Sequence, residues 1–219
     1  MVCYFSMKTK LSRLLVAVML PTSVGQWTPI PIKSTLPKVV GTDSSWQVTT
    51  NNSAGGFFYK LTAPAEGDFS KISWKWRVDK FPTVTPKAPF TKDTDDYALR
   101  VGVVFSNHKK NIKLHSEIEK AVGSEAKVSY VVFYNASSLA SSECVCEKSP
   151  YNDYILNCQI PVQKEFSNVE RSPVVDLIKG FKVGAEESKK IRVVGIWIFA
   201  DSDNSHSESE AYLANLRVE

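Results

Sequence analysis

Residues 72–78 read ISWKWRV, and in this stretch large apolar residues alternate with polar ones. Ile72, Trp74 and Trp76 occupy every second position, and Ser73 and Lys75 lie between them. A period of two is typical of a β-strand with one buried face and one solvated face. The stretch therefore predicts a two-faced strand, in a sheet that must bury its apolar side against another layer.

The same period recurs on both sides of this stretch. Alternating or apolar runs predict further strands at residues 46–50, 56–61, 97–105, 127–134, 154–160, 191–200 and 211–218. The run IRVVGIWIFA at residues 191–200 predicts a central strand covered on both faces, with Trp197 in the core. Helical spacing is confined to residues 115–122 and 173–181. The chain is thus predicted to be all-β, a β-sandwich or jelly roll of the concanavalin-like or galactose-binding-like kind, with one or two short helices.

The N-terminus carries a secretory signal pattern. Lys8, Lys10 and Arg13 precede a seven-residue apolar run at 14–20, and small residues follow up to Gly25. We therefore expect residues 1–25 to be a signal peptide and residues 26–219 to be one β-sandwich domain of an exported protein, periplasmic or extracellular. A membrane anchor is the alternative, but the apolar run is far shorter than the ~20 residues of a spanning helix. No transmembrane segment is expected in the mature chain.

Charge argues against a nucleic-acid partner. Residues 1–25 contain three basic side chains and no acidic one, so their removal lowers the formal net charge from +4 to +1. The remaining chain has no basic cluster with interleaved aromatic residues, which nucleic-acid binding requires.

Three cysteines remain in the mature chain, Cys144, Cys146 and Cys158. Export permits a disulfide. Either Cys144 or Cys146 with Cys158 would close a hairpin, and we take Cys146 with Cys158 as the predicted pair, which leaves one thiol over. A zinc site is the alternative, but three cysteines with no neighbouring histidine are a poor ligand set.

Four motifs in a fixed order carry a family resemblance. They are ISWKWRVD at residues 72–79, DDYALRV at 95–101, ADSDN at 200–204 and EAY at 210–212. In this order they resemble the exported bacterial family of unknown function DUF3047, over about residues 45–218. The resemblance supports the domain prediction and implies no activity, and the cysteines at 144–158 depart from the family pattern. The closing strand EAYLANLRV is also similar to the last strand of carbohydrate-binding jelly rolls, which is a likeness of fold alone.

The polar sides of two predicted strands form the first candidate site. Lys75 and Arg77 lie on one, and Asp96 and Arg100 on the other. If the strands share a sheet, Asp96 is expected to pair with one arginine, either as a structural ion pair or as part of a surface that grips a sugar or an acidic polymer. Trp76 is a further candidate, as a stacking platform in an open groove or as a core residue.

The second candidate site is an oxygen-rich run between the last two strands. Asp201, Asp203, Asn204 and Glu210 offer the ligands that calcium prefers, so we predict a structural calcium site. The alternative is a solvated acidic turn, because the glycine of an EF-hand loop is replaced by His206. No cofactor is expected apart from this candidate structural calcium.

The function predicted is that of an exported, non-catalytic binding module for a carbohydrate or cell-envelope polymer. One alternative is a glycan hydrolase or lyase with paired carboxylates. Another is a structural envelope protein that self-assembles. Catalysis is left open but is not favoured, because the sequence has no G-x-S-x-G, H-E-x-x-H or Walker A motif.

Overall fold

The structure is a computed structural model that describes residues 18–21, 26–33, 35–41, 45–65, 71–83, 90–107, 116–123, 127–138 and 144–219. Most of the predicted signal peptide, residues 1–17 and 22–25, lies outside the described residues, so the signal peptide stays a prediction. Among the described residues, no helix is both long enough and apolar enough to cross a membrane.

Thirteen strands and three α-helices account for most of the described residues. In chain order the strands are β1 (Val18–Met19), β2 (Thr28–Pro31), β3 (Lys38–Gly41), β4 (Ser45–Asn51), β5 (Ala54–Ala65), β6 (Ile72–Lys80), β7 (Arg100–Ser106), β8 (Val128–Ser137), β9 (Val145–Lys148), β10 (Ile155–Pro161), β11 (Ser167–Arg171), β12 (Arg192–Asp201) and β13 (Glu208–Val218). The helices are α1 (Ser116–Val122), α2 (Pro173–Phe181) and α3 (Ala185–Ser188). A 3₁₀ helix spans Lys92–Thr94.

The strands form two sheets. The six-stranded sheet has the order β11-β6-β13-β4-β3, and β1 pairs with the end of β13. The seven-stranded sheet has the order β2-β5-β12-β7-β8-β10-β9. All pairs are antiparallel except β8 with β10, which is parallel. The two-layer, nearly all-β architecture confirms the predicted fold class.

The main core lies between the two sheets. Strand β6 alternates buried and half-buried residues from Ile72 to Val78, so the two-faced pattern of ISWKWRV is confirmed. Trp74 and Trp76 both point into this core, and their ring centroids are 5.3 Å apart. Trp76 has no exposed surface. This corrects the expectation that Trp76 takes part in ligand binding, because a ring enclosed between two sheets presents no face to a ligand.

A second buried layer covers the opposite side of the seven-stranded sheet. Strands β7 and β12 are buried on both faces, as predicted for residues 191–200. Trp197 is buried as predicted, but it belongs to a separate cluster on this outer side, together with Phe58, Phe133 and Phe199. Helix α1 contributes Ile118 to the same layer. The outer side of the seven-stranded sheet thus differs from an ordinary solvated sheet face.

Candidate binding face of the seven-stranded sheet

Two neighbouring rows of side chains cross the seven-stranded sheet on its outer side. Residues paired directly across a sheet point to the same side, so the pairing register identifies the members of each row. The first row consists of Phe199, Arg100, Asn135 and Gln159. The second row consists of Trp197, Gly102, Phe133 and Asn157. We call these two rows together the outer face.

Three aromatic rings pack together in the outer face. The ring centroids of Phe133 and Trp197 are 5.1 Å apart, and those of Trp197 and Phe199 are 5.2 Å apart in an edge-to-face arrangement. Gly102 makes room for this cluster, since a Cβ atom there would lie 2.6 Å from Cε1 of Phe133. The missing side chain therefore allows the Phe133 ring to lie over β7.

Arg100 anchors the other side of the outer face. Its Nη2 atom lies 2.6 Å from Oδ2 of Asp201 and 3.4 Å from Oδ2 of Asp95. Nη2 also donates to the backbone oxygen of Asp95. The guanidinium carbon lies 4.4 Å from the ring centroid of Tyr97. The rings of Phe199 and Phe133 lie 5.2 and 5.8 Å from the same carbon. Two carboxylates and three aromatic rings therefore surround this buried cation.

Burial raises the pKa of both carboxyl groups that contact Arg100. For Asp95 the loss of hydration outweighs the opposing effect of the Arg100 charge. For Asp201 burial has the same effect and raises the pKa well above its usual range, again against the Arg100 charge. Neighbouring acids add to the effect of burial, since the charge of Asp95 raises the pKa of Asp201 and the charge of Asp96 raises that of Asp95.

The amide side chains of the outer face are only partly satisfied. Asn157 donates to Oδ1 of Asp95 at 3.2 Å, and Gln159 donates to the hydroxyl of Tyr97 at 2.9 Å. In the part of the chain that the structure describes, Asn135 is fully buried and neither its Nδ2 nor its Oδ1 has a hydrogen-bond partner. Four further buried atoms of this kind lie in or beside the outer face, namely Oδ1 of Asn157, Nε of Arg100, Nε1 of Trp197 and Oγ of Ser202, whereas the Nε1 atoms of Trp74 and Trp76 are of the same kind but lie in the main core. Buried polar atoms without partners are rare in native proteins, so their concentration here marks a site where a ligand or water could bind.

The predicted calcium ligands are only partly brought together. Carboxylate oxygens of Asp96, Asp201 and Asp203 lie within 4.8 Å of one another. Glu210 instead accepts hydrogen bonds from Gln47 and Tyr212 on the six-stranded sheet. The side chain of Asn204 donates to the backbone oxygen of Lys92 and the hydroxyl of Tyr151, while its backbone amide donates to Asp96.

Protein groups already contact the three clustered carboxylates. The backbone amides of Asn204 and Ser205 donate to Asp96, and Lys33 pairs with Asp203 at 2.5 Å. Asp201 accepts from the backbone amide of Tyr97 and from Arg100. These contacts fasten the turn after β12 to the segment before β7, which is a structural role. The calcium site stays a prediction.

The basic residues of the first candidate site are divided between the two sheets. Arg77 and Lys75 lie on β6, in the six-stranded sheet, whereas Arg100 lies on β7 in the other sheet. The guanidinium of Arg77 lies 4.3 Å from the Tyr212 ring centroid and pairs with Asp79. The condition that both strands share a sheet is therefore not met, and Lys75 and Arg77 cannot form one site with Arg100.

The residue that pairs with Arg100 also differs from the expectation. Asp95 and Asp201 contact Arg100, whereas Asp96 holds the turn after β12. The sequence analysis did not single out Asn135, Asn157 or Gln159. In the sequence these residues form a recognisable pattern, in which amide side chains occupy alternate positions of a strand that is otherwise apolar, as in residues 155–161. That pattern becomes informative only when the neighbouring strands are known.

The structure joins Cys146 and Cys158 by a disulfide between the directly paired strands β9 and β10, as predicted. Cys144 is free. Its Sγ lies 3.9 Å from Sγ of Cys146.

Comparison with known proteins identifies both a family and a fold. A family model described as "Protein of unknown function (DUF3047)" matches residues 26–217. A search of curated proteins found no match. Among solved structures, a family 12 xyloglucanase from Bacillus licheniformis superposes with a TM-score of 0.50 at 8% identity, over 93% of this chain and 98% of that chain. At this identity the likeness shows the jelly-roll fold alone.

Two further solved structures have lower similarity. Endoglucanase 3 of Trichoderma harzianum, from glycoside hydrolase family 12, gives a TM-score of 0.44 at 7% identity, covering 93% of this chain and 95% of that chain. A family 29 carbohydrate-binding module from Piromyces equi gives a TM-score of 0.38 at 9% identity, covering 93% of this chain and 89% of that chain.

Proposed function

This chain belongs to the family described as protein of unknown function DUF3047. That description assigns no activity. From the geometry of the outer face, we propose that the protein is an exported, non-catalytic binding module. Its ligand is a carbohydrate or another hydroxyl-rich polymer of the cell envelope. The ligand binds at the two rows of the outer face that contain Asn135 and Trp197. Both residues are buried in this structure, so binding requires the side chains that cover them to move aside.

The observation that carries this proposal is the buried amide of Asn135. Leaving a buried polar group without a partner costs about 1–3 kcal/mol. An amide offers both donors and an acceptor, which matches a hydroxyl group that can donate and accept. A sugar hydroxyl placed between Asn135 and Asn157 would satisfy atoms that have no partner among the described residues.

The aromatic cluster supports the same class of ligand. Phe133, Trp197 and Phe199 lie in the same two rows as the amides. Sugar rings present an apolar C–H face and a polar edge, so they are recognised by aromatic surface beside hydrogen-bonding groups. The Nε1 atom of Trp197 adds a further donor without a partner among the described residues.

The carboxylates near the outer face favour binding over hydrolysis. Glycoside hydrolysis needs one carboxyl group to protonate the leaving group and another to act on the sugar or on water. The pKa of Asp95 and of Asp201 is raised, as a general acid requires. Both groups nevertheless contact Arg100, and the two oxygens of Asp201 bind the Tyr97 amide and Arg100. The pair therefore serves to hold Arg100.

The test compares two variants that replace an amide on opposite sheets. Asn135→Leu removes the amide of the outer face, and Gln47→Leu removes an amide from the outer side of the six-stranded sheet, where it contacts Glu210. The full-length protein is applied to a glycan array, and affinities for the bound glycans are measured by calorimetry. We expect Asn135→Leu to weaken binding at least about tenfold, the loss of one well-placed hydrogen bond, with little effect of Gln47→Leu.

Two results would reject this proposal. One is the absence of binding to any neutral or charged glycan. The other is a loss of binding in Gln47→Leu with unchanged binding in Asn135→Leu, which would move the site to the six-stranded sheet. The hydrolase alternative is tested in the same samples, because release of reducing ends that stops in Asp95→Asn would show catalysis.

A further inference from the structure

The three cysteines form a compact cluster at the edge of the seven-stranded sheet. Cys146 on β9 is directly paired with Cys158 on β10, and Cys144 precedes β9 by one residue. Because Cys144 and Cys146 are two positions apart, their side chains share a side of the strand. Both pack against the main core, in which Cys158 is fully buried. The three Sγ atoms lie within 4.8 Å of one another.

The spacing of these sulfur atoms fits a metal ion. With zinc–sulfur bonds of about 2.3 Å, two thiolates on one ion lie about 3.8 Å apart in a tetrahedral site and about 4.0 Å apart in a trigonal one. The Sγ atoms of Cys144 and Cys146 are already 3.9 Å apart. Three sulfur atoms can surround one ion once the Cys146–Cys158 bond is reduced and these two sulfur atoms move apart to a similar distance.

We propose that the reduced protein binds one zinc ion through Cys144, Cys146 and Cys158, with the fourth ligand position open to water. The Cys146–Cys158 disulfide is then the oxidised, metal-free form of the same site. In the reduction, a dithiol gives two electrons and two protons to the disulfide and itself becomes a disulfide. Zinc then displaces the protons of three thiols and binds the three thiolates.

The charges around the cluster also bear on zinc binding. Cys144 is half-buried beside the charged side chains of Arg171 and Asp176. Arg171 and Asp176 form an ion pair with each other, with Nη2 of Arg171 3.0 Å from Oδ1 of Asp176. Three thiolates and one zinc ion carry a net charge of −1, which is a smaller charge to bury than that of the metal-free thiolates. Zinc binding therefore offsets most of the charge of three thiolates at this partly buried site.

Zinc titration of the full-length protein tests this inference. The protein is reduced with a phosphine under inert gas and titrated with zinc against a coloured chelator, and cobalt is used in parallel to report tetrahedral thiolate ligation by its absorption spectrum. We expect one zinc ion per reduced chain and no binding by the oxidised chain. Cys144→Ser should weaken zinc binding at least about tenfold. Loss of a residue that only hydrogen-bonds to a metal ligand already lowers metal affinity by about 10–100-fold. Cys3→Ser is the matched control and should bind as the unmodified chain does.

Several outcomes would overturn the inference. One is unchanged zinc affinity in Cys144→Ser, and another is equal binding by the oxidised and reduced chains. Circular dichroism shows whether the reduced chain keeps its fold. A reduced chain that unfolds and is not refolded by zinc also rejects the proposed site.

Discussion

The guanidinium of Arg100 and the carboxylate of Asp201 form a buried ion pair, with Nη2 2.6 Å from Oδ2 and with only 4% and 8% of the two side chains exposed. The pair lies where β7 begins and β12 ends, so it links the two central strands of the seven-stranded sheet. The carboxylate of Asp95 contacts the same Nη2 atom of Arg100. One buried cation thus compensates two buried acids, and the stability of the protein should depend on it.

Replacing Arg100 with methionine should destabilise the protein strongly. The substitution removes the cation that both buried acids contact. At a pH above the native pKa of Asp201 this breaks a buried ion pair, which costs about 3–5 kcal/mol. The free energy of unfolding in urea measures this loss. Arg77→Met is the matched control, an arginine in mid-strand of the other sheet with 30% of its side chain exposed. It should cost about 1 kcal/mol, and equal losses in the two variants would contradict the expectation.

The stability of the protein should depend on pH through Asp201. Its native pKa is raised by burial, whereas the pKa of an unfolded aspartate is about 3.9. The native state therefore keeps a proton at pH values where the unfolded chain has lost it. Stability contributed by this group is present at low pH and falls as pH rises from about 4 towards the native pKa.

Asp201→Asn isolates this contribution, because asparagine does not titrate. Urea unfolding of both proteins between pH 4 and pH 8 should show the variant gaining stability relative to the unmodified chain as pH rises. Parallel curves across this range would mean that Asp201 has an ordinary pKa in the native state.

Replacing Asn135 with leucine should leave the protein as stable as before or more stable. The amide is fully buried and has no hydrogen-bond partner among the described residues. Leucine has the same branched arrangement of side-chain heavy atoms and avoids the cost of about 1–3 kcal/mol for an unsatisfied polar group, which offsets the overpacking by its larger volume. Thermal unfolding of the ligand-free protein measures the change. A lower melting temperature in Asn135→Leu would indicate that the amide is needed for the fold rather than for a ligand.

Replacing Gly102 with alanine should disturb the aromatic cluster of the outer face. The new Cβ would lie 2.6 Å from Cε1 of Phe133 and 3.0 Å from the backbone oxygen of Trp197. Overpacking of this kind costs about 1–3 kcal/mol. Thermal unfolding and the near-ultraviolet circular dichroism of the aromatic residues report the change. Gly184→Ala is the control, because a Cβ atom there meets nothing within 4 Å.

Much of the secondary structure could be predicted from local patterns. The alternation at residues 72–78 became the two-faced strand β6, and the apolar run at 191–200 became the doubly covered strand β12. Helical spacing at residues 173–181 matched α2 residue for residue. These predictions succeed because burial on one or both faces of an element appears directly as a period in the sequence.

The candidate site was much less predictable. Arg77 and Arg100 look alike in the sequence, since each is a basic residue in an alternating strand. In the structure Arg77 stacks on Tyr212 at the surface, whereas Arg100 is buried between Asp95 and Asp201. Alternation shows that a residue faces away from its apolar neighbours, but it does not show what covers that face.

The fold class of this protein could be predicted from its sequence, because a period of two and four ordered motifs are properties of consecutive residues. It also indicated the Cys146–Cys158 pair. The folded chain was needed to show which strands share a sheet and which residues lie side by side in it. Strand pairing joins residues far apart in the chain, and a shift of one residue would turn every side chain to the opposite face. The row of Arg100, Asn135 and Gln159 exists for that reason, through the register of three strands.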